Sequence, residues 1–327
     1  RLRARPALIS SPIVDPPNQA YHEPESARIG LRPPSNGDPM NYDIIGDVHG
    51  HREELEALFQ KLDYERDEHG VWGSTDGAVT VFLGDFVDRG PDSRGVIDIV
   101  RGMMRAGRAQ AVMGNHEYNA ICYWTHVPHR GYMRPHIAKN VTQHSAFLLQ
   151  YEHDPLAWAE AVDWFRTLPL FLELEDGPRI IHACWDDERI EEARRHEHLV
   201  DARLTTRFLY RSRVKDSPER GIIETLLKGP EERRDVPEAD AEGVMRFTKR
   251  VMWWNDWHTD KPPVIFGHYW WTKKKGPNLG ASWMCLDYSV ARKGALACYR
   301  WRREHWEGSF QESDLVMVPS GKRKKPA

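Results

Sequence analysis

Three polar clusters, each delivered by a short apolar run, constrain this chain more than any other feature. They are GDVHG over Gly46–Gly50, GDFVDRG over Gly84–Gly90 and GNHE over Gly114–Glu117. Ahead of them stand Tyr42–Ile45, Val79–Leu83 and Ala111–Met113, runs of the kind that form buried parallel strands. Helical patterns follow the first two clusters. Leu55, Leu58, Phe59 and Leu62 recur at i, i+3, i+4, i+7, and Val96, Ile97, Val100, Met103 and Met104 make a second stripe. Asp92 or Ser93, just past Pro91, suits the N-cap of that second helix. The β-α-β-α-β alternation from 42 to about 114 predicts a layered α/β core. It places Asp47, His49, Asp85, Asp88, Arg89, Asn115 and His116 where strands end and helices begin, the edge at which open α/β sheets bind ligands.

The flanks carry less information. Residues 1–40 hold eight prolines (Pro6, Pro12, Pro16, Pro17, Pro24, Pro33, Pro34 and Pro39) without a sustained period, which predicts an extended N-terminal arm. The segment 118–150, rich in histidine and aromatic residues, is expected to form a cap beside the cleft, and its histidines to be satisfied or exposed. Leu156, Ala159, Val162 and Phe165 predict another amphipathic helix. Phe171–Leu174 and Arg179–Ile181, joined by a turn at Asp176-Gly177, predict a strand pair that runs into His182. The charge-dense stretch 186–246 reads as solvated helices and loops. Val251–Trp254, Val264–Phe266 and Met284–Leu286 are further short apolar runs; the middle one delivers Gly267-His268, and Ala295–Trp301 predicts a closing strand. A catalytic domain over 41–310, with insertions at about 118–150 and 186–246, and a basic flexible tail over 311–327 complete the expected layout.

A net charge of −3, with 40% hydrophobic and 29% charged residues, gives no whole-chain pull toward a nucleic acid polymer or a membrane. No apolar run approaches the ~20 residues of a membrane span. Cys122, Cys184, Cys285 and Cys298 show no Cys-x-x-Cys spacing, so a reducing, cytoplasmic setting is the expectation.

The chemistry lies in what the strand ends collect. Asp47, His49, Asp85, Asn115, His182 and His268 supply two carboxylates, three imidazoles and an amide oxygen. That mixed O/N set suits manganese, iron, zinc or nickel rather than calcium. Six ligands exceed what one catalytic ion with open positions needs, so two ions sharing a carboxylate are expected. Asp85 is the natural bridge, with Asp47 and His49 on one ion and Asn115, His182 and His268 on the other. Two such ions ~3.5–4 Å apart can activate a bridging water and clamp the oxygens of an in-line displacement at phosphorus. His116 could protonate the departing oxygen, Asp88 could hold that imidazole charged and oriented, and Arg89 offers a planar fork for phosphate oxygens. The blander account makes Asp88 and Arg89 a structural ion pair and His116 a helix cap.

GDVHG, GDFVDRG, GNHE, the strand-end His182 and Gly267-His268 together resemble the calcineurin-like metallophosphoesterases. The nearest branch in likeness is the one shared by PPP-type serine/threonine phosphatases and symmetrical diadenosine tetraphosphatases. Leu168-Pro169-Leu170 and Val251–Trp254 resemble further stretches of that branch, and Cys285-Leu286-Asp287 with Gly294-Ala295-Leu296 resembles its closing strands. The resemblance covers about 42–300 and implies a central β-sandwich flanked by helices. It also implies the bimetal assignment with manganese foremost, His116 and Asp88 as the acid pair, and substrate held by Arg89 and Asn115. The chain departs from the pattern at Trp270, where many relatives outside this branch carry a second histidine. It departs again at Ala183-Cys184-Trp185, where glycine-rich sequence is usual. A second phosphate-binding arginine is not fixed; Arg207, Arg211 and Arg213 are candidates.

The leading expectation is a bimetal phosphoesterase in which a metal-bridging hydroxide attacks phosphorus directly, its partner a phosphorylated protein or a small phosphomonoester. The alternative is a symmetrical dinucleoside polyphosphate hydrolase. For this Tyr269, Trp270 and Trp271 would stack a base and Lys273, Lys274 and Lys275 would hold the phosphates, unless the aromatics simply pack a sheet edge. A catalytically dead scaffold would lack a ligand or the acid, and none is missing.

Overall fold

Side-chain alternation along the strands sorts the core into two layers. The computed structural model describes residues 40–321, apart from 128, 130, 240–244 and 272–275. One five-stranded sheet combines β1 (Tyr42–Ile45), β2 (Val79–Phe82), β3 (Ala109–Ala111), β8 (Ala295–Trp301) and β9 (Leu315–Pro319) in the order β9-β8-β1-β2-β3. A four-stranded sheet combines β4 (Phe171–Glu173), β5 (Arg179–Ile181), β6 (Val264–Phe266) and β7 (Trp283–Cys285) in the order β7-β6-β5-β4. β1, β2 and β3 run parallel, as the motif spacing predicts, and β8 returns antiparallel to β1.

Tyr42, Ile44, Val81, Ala297 and Tyr299 from the first sheet join Ile180, Ile265 and Met284 from the second in one buried cluster. The period-two partners Ile45, Phe82, Ala111 and Cys298 belong instead to the outer layer with Leu55, Leu58, Phe59, Val96 and Val100. Those five residues lie on α1 (Arg52–Lys61) and α2 (Ser93–Arg105), where Asp92 is the N-cap and accepts from Gly95 N at 2.7 Å. The architecture is a β-sandwich flanked by helices, with mixed α/β content. α3 (Asn115–Trp124), α4 (Ala138–Tyr151) and α5 (Pro155–Arg166) follow β3, and α6 (Asp187–Arg195), α7 (Thr206–Arg211) and α8 (Pro218–Lys228) follow β5.

The structure departs from expectation in four places. α5 turns Leu156 outward, 71% exposed, and buries Ala161, Val162 and Phe165. Its face is rotated because Trp158 reaches the aromatic cluster of Tyr123, Trp124 and Phe147. Trp253–Asp256 is a 3₁₀ turn rather than a strand. Trp253 there donates to Ala183 O and Trp254 packs on Phe266 and Tyr269, so adjacent residues both point inward, which a pleat forbids. The stretch 186–246 is only partly solvated, since α8 buries Ile222, Ile223, Leu226 and Leu227. Leu315–Pro319, inside the segment expected as tail, is the edge strand β9, with Val316 and Val318 packed on the outer layer. The N-terminal arm up to Pro39 and the basic end 322–327 lie outside the described residues.

Ile44, fully buried between the sheets, and Leu149, 67% exposed on α4, make a controlled pair. Ile44→Ala should cost about 2–5 kcal/mol in chemical denaturation. Leu149→Ala should stay within about 0.5 kcal/mol.

Candidate active site

Each sheet contributes a strand whose end carries a histidine, and the sandwich brings those ends together. His49 and Asp47 follow β1, Asp85 follows β2, Asn115 opens α3 after β3, His182 follows β5 and His268 follows β6. Asp47, His49, Asp85, His182 and His268 are all buried. Asp85 lies at the centre: its Oδ2 is 3.5 Å from His49 Nε2 and its Oδ1 is 3.5 Å from His182 Nε2. Ligand atoms of His49, Asp85 and His116 fall within 4.8 Å of one another, and so do those of Asp85, His182 and His268. Asp85 is common to both groups.

Backbone carbonyls aim the imidazoles. His49 Nδ1 donates to Val87 O at 3.0 Å and His182 Nδ1 donates to Leu83 O at 2.8 Å, which turns each Nε2 lone pair toward Asp85. Burial holds His49, His182 and His268 below the ordinary histidine range; Arg89 adds to this at His49, and Arg250 at His268. Neutral imidazoles are the form that binds a metal. His182 Nε2 faces Asn115 Oδ1 at 3.2 Å, two acceptors converging on one point, an arrangement a cation resolves. Asp47 accepts from His268 N at 3.3 and 3.2 Å. Burial, then Asp287 and Asp85, push its carboxyl well above the usual range. These buried carboxylates repel one another and Arg89 offsets this only in part, so with the neutral imidazoles the donor set fits a pair of divalent cations.

The loops reach this geometry through strained backbone. His49, Asp85, Asp88, Arg89 and His268 all sit at φ between 46° and 69°, the left-handed region. Glu117, fully buried, holds the turn at Asp85 by accepting from Asp85 N and Phe86 N, both at 2.8 Å, and from Gly114 N at 3.0 Å. Burial pushes the Glu117 carboxyl up to about 8 and Asp85 reinforces it, while the backbone donors pull the other way. A side chain at Gly267 would meet Asp47 Oδ1 at 2.1 Å, so only glycine lets the loop before His268 pass that carboxylate.

At the mouth, Asp88 Oδ2 accepts from His116 Nδ1 at 2.6 Å, leaving His116 Nε2 toward the site. Burial works against a charged His116 ring, but Asp85 and Asp88 outweigh it and raise its pKa. The exposed Arg89 spans the two rings, with Nη1 2.8 Å from His49 Nε2 and Nη2 3.2 Å from His116 Nε2. Arg89 and Asp88 are therefore not partners in an ion pair; Asp88 serves histidines. Trp270 lies beneath three guanidiniums, those of Arg292 at 3.6 Å, Arg89 at 4.9 Å and Arg250 at 5.5 Å from its ring. Arg211 is engaged by Glu219, and Arg213 lies beside Tyr118 and Cys122. Arg250 and Arg292 share the Trp270 ring with Arg89, and no motif spacing reveals them.

A family model described as calcineurin-like phosphoesterase matches residues 40–270. The chain belongs to this family. That family works with a pair of divalent ions. Among its relatives is a symmetrical bis(5′-nucleosyl)-tetraphosphatase of Enterobacter sp. (strain 638), 25% identical over 289 residues, which cover 80% of this chain and 92% of that protein. The asymmetrical bis(5′-nucleosyl)-tetraphosphatase PrpE of Halalkalibacterium halodurans is 47% identical over 77 residues. That alignment covers 24% of this chain and spans only 31% of the relative's length. Among solved structures, a protein serine/threonine phosphatase of Saccharomyces cerevisiae with similarity to human phosphatase PP5 matches with TM-score 0.50 at 13% identity. It covers 89% of this chain and 83% of that one, a likeness of fold.

Among the described residues, no helix is long and apolar enough to cross a membrane, and all four cysteines are free and buried.

If Asp85 is the shared ligand, Asp85→Asn should disturb both ions, whereas Asp47→Asn should affect one. Elemental analysis of protein purified with manganese checks this; a full complement of metal in Asp85→Asn would remove Asp85 from that role.

Proposed function

We propose that this chain is a metal-dependent phosphoester hydrolase that cleaves phosphate monoesters, of a phosphorylated protein or a small molecule, with Asp47, His49 and Asp85 holding one ion and Asp85, Asn115, His182 and His268 the other. The convergence of His49 and His116, and of His182 and His268, on Asp85, together with the pairing of His116 with Asp88, supports this reading. When bound, the two ions supply Lewis acidity and a nucleophilic water. The protein's own groups do the rest. The Arg89 fork takes phosphate oxygens at the mouth and Asn115 helps to position the ester. Asp88 fixes the His116 tautomer and favours its protonated ring, so Nε2 can deliver a proton to the ester oxygen as the P–O bond breaks. Manganese is the ion of choice for this mixed carboxylate and imidazole set, with iron, zinc or nickel also accepted.

One observation favours a second reading, hydrolysis of dinucleoside polyphosphates. Three guanidiniums gathered on one half-buried indole offer charge for more than one phosphate. The Enterobacter relative, aligned over most of its length, carries the name of such an activity. Lys273, Lys274 and Lys275, expected to hold the polyphosphate, lie outside the described residues. A turnover panel with manganese separates the readings: phosphoserine peptide, phosphotyrosine peptide and diadenosine tetraphosphate. Cleavage of the peptides supports the monoesterase; cleavage of the tetraphosphate alone overturns it.

The acid's role carries its own test. The raised pKa keeps His116 protonated above the ordinary histidine value, so turnover of alkyl phosphates should fall as pH rises through it. His116→Asn should lose roughly 10²–10⁴-fold on alkyl phosphates, and its remaining rate should no longer show that alkaline fall. Its loss on p-nitrophenyl phosphate, whose leaving group departs as the anion, should be far smaller.

A further inference from the structure

Asp88 has two carboxylate oxygens, and the pairing with His116 uses one. The other, Oδ1, accepts from His144 Nδ1 at 2.6 Å. His144 lies on α4, 56 positions away in sequence, and is fully buried. Its ring is stacked on Phe147 at 4.8 Å and tilted against Tyr123 at 5.4 Å. His144 Nε2 is buried and has no hydrogen-bond partner. Nδ1 is therefore the ring nitrogen whose N–H the carboxylate uses. Asp88 itself sits at φ 69°, a conformation that its backbone does not prefer. Without His144, Oδ1 would be a buried charged oxygen lacking a donor, and the carboxylate would be free to rotate away from His116.

We propose that His144 is a positioning residue for the leaving-group proton transfer: it clamps the Asp88 carboxylate so that Oδ2 stays on His116 Nδ1 and His116 Nε2 stays aimed at the ester oxygen. The inference rests on His116 acting as the acid. It assigns a role to the inserted 118–150 segment, which supplies through α4 the outer member of a His144–Asp88–His116 chain. The proton given to the leaving group comes from His116 and is restored from solvent; His144 orients and is not consumed.

The test uses leaving-group dependence. His144→Phe keeps the ring packing and removes the donor, and His144→Asn restores an N–H near the Nδ1 position. Turnover is compared on p-nitrophenyl phosphate and on an alkyl phosphate, with His116→Asn measured alongside. The phenylalanine variant should lower kcat on the alkyl phosphate roughly 10–100-fold with KM little changed, the scale of a misplaced catalytic group. It should lower the p-nitrophenyl phosphate rate far less, and His144→Asn should recover most of the difference. Equal losses on both substrates, or no recovery with asparagine, would overturn the proposal. Should the phenylalanine protein fail to fold, His144→Gln, whose amide reaches the Nε2 rather than the Nδ1 position, must show the same selective loss. If His116→Asn itself shows no leaving-group selectivity, the acid assignment fails, a result separable from the failure of His144 alone.

Discussion

A single buried carboxylate organises this molecule. Asp85 presents each oxygen to an imidazole from a different sheet, His49 on one side and His182 on the other, at 3.5 Å in both cases. Its Oδ1 also accepts from His116 N, and its own amide is held by Glu117. These contacts exist only if the sandwich closes in one register, because His182 and His268 reach Asp85 from β5 and β6 across the shared core. Burying acidic groups together is unfavourable without compensating charge. The strain shows at Asp47, pushed well above the usual range, and at Asp287, pushed up to about 6 with burial as the main cause. The fold thus gathers carboxylates that Arg89 offsets only in part, at a point where a bound cation would relieve their repulsion.

The backbone bears the second part of that arrangement. Five site residues occupy the left-handed region, a conformation costing of order 1–3 kcal/mol at functional positions. Glu117 and the carbonyls of Leu83 and Val87 offset part of it, since each hydrogen bond that aims a side chain also holds a loop. Helix α3 begins inside the site, so Asn115, His116 and Glu117 are fixed by the same turn of helix.

Much of this was legible in the sequence because strands and their ends follow local rules. Tyr42–Ile45, Arg179–Ile181 and Val264–Phe266 are strands at the expected residues, and Asp92 caps α2 as expected. What stayed hidden depends on long-range packing. Trp253 and Trp254 read as strand residues by composition, but their shared inward direction is set by Ala183, Phe266 and Tyr269. Leu315–Pro319 lies between Glu312-Ser313-Asp314 and a basic end, and its place is set by the edge that β8 offers it. Arg250 reaches the site from the end of an exposed strand, Met245–Arg250, by donating to His268 O at 2.8 Å; no motif spacing marks it.

The histidines between 126 and 144 show why residue type alone cannot assign function. His136 is stacked between Tyr123 and Tyr132 and its Nε2 donates to Tyr123 O, so it is satisfied within its own segment. His144 belongs to the same stretch but shares a helix face with Phe147 and Tyr151, at i, i+3 and i+7, and that face is buried. A histidine on an apolar stripe needs a partner for whichever nitrogen carries its proton. Asp88 supplies it, through the second oxygen that the His116 pairing leaves open. The periodicity of α4 and the valence of one carboxylate together contain the connection that spacing between motifs does not.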